Sequence, residues 1–286
     1  MQANGGGDEH STDKRHHKIT AIVLAAGYGT RLERDIKADT SGKYADLVGV
    51  PKALVPVVGR PLVEYWVEIF KGLGDIIQTV YVVSTAYHYE KFVAWAKRSG
   101  FPTENIVSDG STSNENRRGA IGTLQFFLNE KHITGDILVV AGDTLFSRDF
   151  QIDSILDRFF ALTSEFEAVA LILYYELKDH AEVQKRGILE ISPEGRVLSF
   201  LEKPSPESTT SNKACPPLYL YSARCHEEFL GQYVSKFGDS LDRMDAPGNF
   251  VSWLHPIVPV YATQVSGRFD IGSLADLEEA NELYLK

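Results

Sequence analysis

Three short apolar runs, at residues 19–26, 79–84 and 136–141, constrain the fold of this 286-residue chain more than any other feature. A continuous apolar run of this length is typical of a β-strand that is buried on both faces. Apolar side chains recur at helical spacing between and after these runs, at Leu62, Trp66, Ile69, Phe70 and Leu73, at Phe92, Trp95 and Ala96, at Ala120, Leu124, Phe127 and Leu128, and at Ile152, Ile155, Leu156, Phe159 and Phe160. This alternation of buried strands and amphipathic helices predicts an α/β protein with a doubly wound, mostly parallel sheet.

The second half of the chain has a different pattern, with more strands and fewer helices. Strands are predicted at residues 168–175, 187–191, 197–201, 218–221 and 259–265, followed by an amphipathic closing helix at residues 274–285. No linker or internal repeat separates the halves, so we predict a β-rich C-terminal lobe built onto the same sheet. Residues 18–286 are therefore expected to form a single domain, preceded by a polar, disordered tail at residues 1–17.

Composition excludes several classes of function. The chain has 39 acidic and 29 basic residues and a formal net charge of -10, which disfavours binding along a nucleic-acid backbone. An anionic small substrate remains compatible with this charge, because a divalent cation neutralises it locally. The two cysteines, Cys215 and Cys225, are too few for a disulfide framework or a four-cysteine zinc site. The apolar runs are far shorter than the roughly 20 residues of a membrane span, and the N-terminus has no apolar signal core, so we expect a cytosolic protein.

A glycine-rich loop follows the first predicted strand, with the sequence LAAGYGTRL at residues 24–32. Glycines in this position let several backbone N–H groups approach a phosphate. The loop lacks the third glycine of a dinucleotide-binding fingerprint, since Leu32 stands there, and residues 32–61 are rich in glycine, proline and charge, so we expect no helix. This disfavours a dinucleotide oxidoreductase. The chain also lacks a Walker-type phosphate loop, because Gly42 and Lys43 are followed by Tyr44.

Two cations accompany this loop. Arg31 lies two residues after Gly29 and offers a planar fork of donors suited to phosphate oxygens. Lys52 follows Pro51 in the sequence PKAL, and a lysine in such a position, taken alone, is more often an ordinary surface residue than a ligand-binding one. Together, the two segments resemble the nucleotidyltransferases that activate sugar 1-phosphates, the group that includes glucose-1-phosphate thymidylyltransferase and uridylyltransferase. The resemblance continues in the family's order through GDTLF at residues 142–146, FLEKP at residues 200–204 and FDIGSL at residues 269–274, while residues 113–124 and 245–250 resemble a separate branch.

The resemblance implies a Rossmann-like nucleotidyltransferase fold and an enzyme that couples a nucleoside triphosphate to a sugar 1-phosphate, giving a nucleotide sugar and pyrophosphate. Its nucleotide-binding part would cover about residues 18–150 and its sugar-phosphate part about residues 151–286. Catalytic roles would fall to Arg31, Lys52 and Lys203. The resemblance assigns nucleotide binding to Leu24, Ala25, Ala26, Gly27, Gly29, Thr30, Asp109, Asn116 and Gly119, and sugar-phosphate binding to Gly142, Glu202 and Lys203.

Two aspartates are candidate Mg²⁺ ligands. Asp143 follows a buried strand through a glycine, at the sheet edge where ligands of parallel sheets bind, although an aspartate there is often only a helix cap. Asp270 lies between Phe269 and Ile271, where a carboxylate must be paired or bound to metal. The resemblance implies that Asp143 and Asp270 share the Mg²⁺ ion; their spacing does not show it.

The sequence departs from the family pattern in two places. The gap between Arg31 and Lys52 is longer than usual and contains a charged insertion at residues 32–50, for which a lid is one hypothesis. Pro216 and Pro217 stand where family members usually carry a glycine that lets the sugar ring approach the backbone. The acceptor pocket is therefore the part of the site in which differences from the family are most expected.

Two alternatives to sugar activation stay open. One is a cytidylyltransferase acting on phosphocholine or another alcohol phosphate, for which Tyr219, Tyr221 and Trp253 could form an aromatic cage. The other is a nucleotide-sugar-binding regulatory protein without turnover, which the retained Arg31 and Lys52 disfavour. The sequence leaves the sugar, the base and any homo-oligomer unassigned.

Overall fold

The computed structural model describes residues 18–284, so the expected tail at residues 1–17 lies outside the described residues. The strands in chain order are β1 (Ile19–Leu24), β2 (Pro56–Val57), β3 (Arg60–Pro61), β4 (Ile77–Ser84), β5 (Ile106–Ser108), β6 (Asp136–Ala141), β7 (Thr144–Phe146), β8 (Ala170–Glu176), β9 (Gly187–Ile191), β10 (Val197–Glu202), β11 (Lys213–Cys215), β12 (Leu218–Tyr221), β13 (Val260–Gln264) and β14 (Arg268–Asp270). The α-helices are α1 (Thr30–Ala38), α2 (Leu62–Gly72), α3 (Tyr89–Ser99), α4 (Gly119–Glu130), α5 (Ile152–Glu165), α6 (Gly231–Phe237), α7 (Leu241–Asp245), α8 (Gly248–Leu254) and α9 (Leu274–Leu283).

Ten strands form one mixed sheet. Its order is β10-β9-β11-β8-β12-β6-β1-β4-β5, and β13 pairs with β8 in parallel. The strands β6, β1, β4 and β5 are mutually parallel, whereas β12 joins β6 in the antiparallel sense. The chain passes from β1 to β4 on one side and returns to β6 on the other. The carboxyl ends of β1 and β6 therefore flank a topological switch point, where ligands of such sheets bind.

Helices cover both faces of this sheet. Successive side chains of β1 point to opposite faces, so Ala21 and Val23 pack in one apolar cluster and Ile22 in another. The first cluster receives aromatic side chains from α2, α3 and α5, including Trp66, Trp95 and Phe159. The second receives side chains from α4, α6 and α8, including Phe127, Tyr233 and Phe250. The predicted doubly wound α/β architecture is thus confirmed, together with strands that extend the sheet in the second half.

One sequence expectation was wrong. Residues 32–61 were expected to be non-helical, yet α1 begins directly after Gly29 and buries Leu32 and Ile36. The charges that obscured this helix lie on its outer face, where Lys37 pairs with Glu33, four residues earlier, at 2.7 Å. In the second half, residues 225–254, for which no element was predicted, are mostly helical.

A small two-stranded sheet joins distant parts of the chain. In it, β14 pairs with β7, and Asp270 lies opposite Thr144. The amide of Ile271 donates a hydrogen bond to the carbonyl of Asp143 at 3.0 Å. The backbone therefore holds Asp143 and Asp270 beside each other. Within residues 18–284, no helix has both the length and the apolar character needed to cross a bilayer.

Candidate functional site

Two adjoining cavities open at the carboxyl ends of β1 and β6. The larger has a volume of about 540 Å³ and is lined by the glycine loop, while the smaller, of about 300 Å³, is lined by Asp143 and by residues of the second half. Five residues line both cavities: Asp143, Pro217, Tyr219, Asp245 and Pro247. Two molecules bound in these cavities would therefore meet at Asp143.

The glycine loop forms one wall of the larger cavity. Its backbone is fixed to the sheet, because the amide of Gly142 donates to the carbonyl of Leu24 at 2.8 Å. Gly29 has a φ of 64° and precedes the first residue of α1, so the free amides of that helix begin at the loop. A Cβ atom on Gly29 would lie 3.2 Å from Cγ of Lys52, so the lysine stem packs against this glycine. The helix start and the loop amides give this wall a preference for anions.

Lys52 and Arg31 are held in place by residues distant in sequence. Nζ of Lys52 lies 3.3 Å from Oδ2 of Asp143. Nε of Arg31 donates to the carbonyl of Gly272 at 3.0 Å, which fixes the guanidinium by one edge. Both cations line the larger cavity, so they bring positive charge next to the loop amides.

The polar segment around Asp109 supports the larger cavity. Asp109 is buried, and its carboxylate accepts hydrogen bonds from the backbone amide and hydroxyl of Ser111 and from the hydroxyl of Thr123. The hydroxyl of Tyr28 donates to Oγ of Ser111 at 3.1 Å and extends this network to the glycine loop. The side chain of Asp109 is thus engaged by the protein itself, which makes it a support of the cavity wall.

Asn116 is the predicted site residue that the structure does not bring to the cavity. Its Oδ1 accepts from the amides of Thr112 and Ser113, and its Nδ2 donates to Oγ1 of Thr112. Asn114 lines the larger cavity instead. The predicted residues that do line it are Leu24, Ala25, Ala26, Gly27, Gly29, Thr30, Arg31, Lys52, Asp109, Gly119, Gly142 and Asp143.

Asp270 forms the centre of a charged cluster at the smaller cavity. Its Oδ2 accepts from Nη1 of Arg186 at 3.3 Å and from Nη2 of Arg268 at 3.4 Å. Burial alone raises the pKa of Asp270, but the positive charges of Arg268, Arg186, Lys52 and Arg31 outweigh it and hold the pKa below its ordinary value. Asp270 is therefore ionised at neutral pH.

Glu202 and Lys203 enter the smaller cavity from the end of β10. Burial raises the pKa of Glu202, and the neighbouring charge of Lys203 opposes that shift. A Cβ atom on Gly248 would lie 2.0 Å from Oε2 of Glu202, so this carboxyl needs a glycine at the start of α8. Lys203 has a φ of 49°, in the left-handed region, which turns the chain sharply after the strand. The smaller cavity thus combines a carboxyl acceptor with an ammonium donor.

The donor set of Asp143 and Asp270 suits Mg²⁺. The ion accepts one or two protein carboxylates when phosphate oxygens and water complete its shell. Within residues 18–284, the hydrogen bonds of both carboxylates end on Oδ2, which leaves Oδ1 of each available to a metal. No group of three or more metal-binding side chains occurs among these residues, so a metal here would need oxygens from the substrates.

Sequence reasoning missed Arg186 and Arg268. Arg268 lies two positions before Asp270 on the same strand, and residues two apart on a strand face the same side. That spacing was the available signal for Arg268. Arg186 follows a short helical turn and reaches Asp270 only through the tertiary fold, so no local pattern indicates it.

Of the two departures from the family pattern, the proline pair reaches the cavities, whereas the insertion before Lys52 does not. Pro217 lines both cavities, and its carbonyl accepts from the amide of Ala141, so a proline ring occupies the junction between them. Residues 39–50 line neither cavity. In that segment Tyr44 donates to Glu278 of α9 at 3.0 Å, and the carbonyl of Gly49 accepts from Lys91 of α3.

Comparison with known proteins identifies the family of the chain. A family model described as nucleotidyl transferase matches residues 20–286. The chain is 29% identical over 272 residues to glucose-1-phosphate thymidylyltransferase of Streptomyces griseus, covering 94% of this chain and 66% of that protein. It spans 38% to 66% of the length of four curated relatives that it matches.

Two solved structures share the fold. A UDP-glucose pyrophosphorylase complexed with UDP-glucose has a TM-score of 0.68 at 20% identity, and the match covers 94% of this chain and 98% of that one. The CTP:phosphocholine cytidylyltransferase of Streptococcus pneumoniae has a TM-score of 0.67 at 21% identity, covering 94% of this chain and 100% of that one.

Proposed function

Because the chain belongs to the nucleotidyl transferase family, we propose that it is an enzyme joining a nucleoside triphosphate to a sugar 1-phosphate, with release of pyrophosphate. The observation that carries this proposal is the meeting of two cavities at Asp143. One cavity is lined by backbone amides and cations that suit a triphosphate, and the other by Glu202 and Lys203, which suit hydroxyls and a phosphate.

The proposed reaction is a direct displacement. An oxygen of the acceptor phosphate attacks the α-phosphorus, the bond from that phosphorus to the bridging oxygen breaks, and pyrophosphate leaves with the electron pair. Such a reaction needs alignment and neutralisation of charge, and it needs no covalent intermediate with the protein.

Each cation has a defined part in this displacement. Arg31, held through Nε, offers its remaining nitrogens to the departing pyrophosphate. Lys52, at the junction of the cavities, binds phosphate oxygens in the transition state. Lys203 positions the acceptor phosphate from the opposite side. Mg²⁺ held by Asp143 and Asp270 would supply further neutralisation of phosphate charge when bound.

The smaller cavity disfavours phosphocholine as the acceptor. A quaternary ammonium binds over aromatic faces or carboxylates, away from other cations. Here the lining includes Arg186 and Arg268, and of Tyr219, Tyr221 and Trp253 only Tyr219 lines the cavity. Three of the four carboxylates in the lining, those of Asp143, Asp245 and Asp270, are already in ion pairs. The guanidinium groups would repel choline, whereas they are compatible with a sugar phosphate.

A pyrophosphate-release screen tests the proposed function. Five nucleoside triphosphates are combined with a panel of phosphorylated sugars and alcohols, including phosphocholine, in the presence of Mg²⁺. We expect release with at least one sugar 1-phosphate and none with phosphocholine. Binding of nucleotide sugars by a folded chain that releases no pyrophosphate with any pair would favour a regulatory role instead.

A further inference from the structure

Arg268 is a buried cation with donors that the protein leaves unused. It lines the smaller cavity, yet only 6% of its side-chain area is exposed. Its Nη2 contacts Asp270, whereas its Nε and Nη1 are buried and have no hydrogen-bond partner within residues 18–284. Buried donors in folded proteins are paired in the great majority of cases, and an unpaired buried charge is strongly unfavourable. These two nitrogens therefore point to a missing acceptor.

Arg186 approaches the same point from another element. Its Nη1 lies 3.3 Å from the Oδ2 atom that Arg268 also contacts, and its Nε is buried without a partner. Two guanidinium groups thus share one carboxylate oxygen of Asp270. The next acid, Glu182, lies at 3.9 Å from Nη2 of Arg186 and is shared with Lys185, so the cluster remains rich in positive charge. A single additional oxyanion would offset that charge and accept hydrogen bonds from the unused donors of both arginines.

The other acidic side chains that line the smaller cavity do not accept hydrogen bonds from the unused donors of Arg186 and Arg268. Asp143 contacts Lys52, and Asp245 contacts Arg117. Glu202 lies close to Gly248 and Gly187, and within residues 18–284 it forms no ion pair with either arginine. Tyr175, whose ring centroid lies 6.0 Å from Cζ of Arg268, interacts with that guanidinium but carries no full negative charge. An oxyanion that enters the cavity would satisfy the remaining donors.

We propose that Arg186 and Arg268 form an oxyanion-binding subsite for the acceptor substrate, a refinement that rests on the proposed nucleotidyl transfer. The planar fork of a guanidinium matches the oxygens of a phosphate or of a carboxylate. Two sources of the oxyanion share this chemistry. One is the reacting phosphate of the acceptor, and the other is a carboxylate carried by the acceptor, as in a hexuronic acid 1-phosphate.

Equilibrium binding to the full chain tests the subsite without turnover. Calorimetry is run with inorganic phosphate, a hexose 1-phosphate and a hexuronic acid 1-phosphate, in the absence of nucleoside triphosphate and metal. The wild type is compared with Arg186→Gln and Arg268→Gln, and with Arg34→Gln as a matched control, since the Arg34 side chain is 73% exposed. We expect the first two variants to weaken binding by about tenfold or more and the control to leave it unchanged.

The pattern across the three probes identifies the source of the oxyanion. Weaker binding of all three probes assigns the arginines to the reacting phosphate, and weaker binding of the hexuronic acid 1-phosphate alone assigns them to the carboxylate. Unchanged affinities, or no binding of any probe by the wild type, would overturn the subsite. If Arg268→Gln fails to fold, Arg268→Lys replaces it in the experiment, because it keeps the positive charge. This variant is expected to retain only part of the wild-type affinity for the probes. Because these titrations need no catalysis, failure of the pyrophosphate screen would leave their result interpretable.

Discussion

Nζ of Lys52 lies 3.3 Å from Oδ2 of Asp143, at the point where the two cavities join. These residues come from opposite sides of the switch point, since Lys52 precedes β2 and Asp143 follows β6. The contact holds the ammonium at the position where the α-phosphate and the acceptor phosphate would approach each other. The pair keeps the lysine in place before the substrates arrive, while Oδ1 of Asp143 stays available to a metal.

Replacing Arg31 by Lys is expected to lower turnover by about 10²- to 10³-fold, although the charge is kept. Lysine has no second edge with which to bind pyrophosphate while the first contacts the carbonyl of Gly272. Steady-state pyrophosphate release measures the effect, and Arg34→Lys on the exposed face of α1 is the control. Near-normal turnover of the Arg31 variant would make this residue structural.

Replacing Asp270 by Asn is expected to lower both metal affinity and stability. From sequence alone, relief of repulsion between two carboxylates predicts a neutral or stabilising effect. The ion pairs reverse that expectation, because the change removes the anion that Arg186 and Arg268 share and leaves Arg186 with only Glu182 at 3.9 Å. We expect a cost of about 1 to 3 kcal/mol of unfolding free energy.

Asp143→Asn provides the matched comparison. Its partner Lys52 can turn toward solvent, so we expect the free energy of unfolding to fall by less than about 1 kcal/mol. Turnover is expected to fall in both Asp143→Asn and Asp270→Asn. Melting temperature without metal and turnover across a Mg²⁺ titration separate the two effects. Full activity of either variant at ordinary Mg²⁺ concentration would remove that aspartate from the metal site.

Gly248→Ala is expected to impair acceptor binding selectively. The added Cβ would lie 2.0 Å from Oε2 of Glu202 and would displace the carboxyl from the smaller cavity. We expect a higher KM for the acceptor with a nearly unchanged KM for the nucleoside triphosphate. Gly231→Ala is the control, because its added Cβ would meet no atom within 4 Å. Equal changes in both KM values would argue against an acceptor role for Glu202.

The pH dependence of stability should carry a contribution from His88. Burial, with a smaller effect from Lys91, lowers the pKa of His88 from 6.5 to about 4. Between these values the unfolded chain binds a proton that the folded chain does not, so stability present above pH 6.5 is lost as the pH falls toward 4. Chemical denaturation of the wild type and of His88→Gln across this range measures the difference. Parallel pH profiles for the two proteins would contradict it.

The sequence predicted the parallel core and much of the larger cavity because both depend on local patterns. Buried runs mark β1 and β6, and the glycine loop follows one of them directly. The sequence did not predict α1, because charged residues on the exposed face of this helix obscured its two buried positions, Leu32 and Ile36. Arg186 was missed because its role arises only when distant elements meet, and Asn116 was misplaced because its side chain forms hydrogen bonds within its own turn.

Acceptor-dependent pyrophosphate release by the wild type and by Lys52→Gln, measured side by side, tests the central claim most directly. We expect the wild type to release one pyrophosphate for each nucleotide sugar formed and none when the sugar 1-phosphate is omitted. Lys52→Gln should fold normally and lose at least about 10²-fold in rate, since it removes a charge aimed at the transition state. Release that is independent of the acceptor, or an unimpaired Lys52→Gln enzyme, would contradict transfer at the junction of the two cavities.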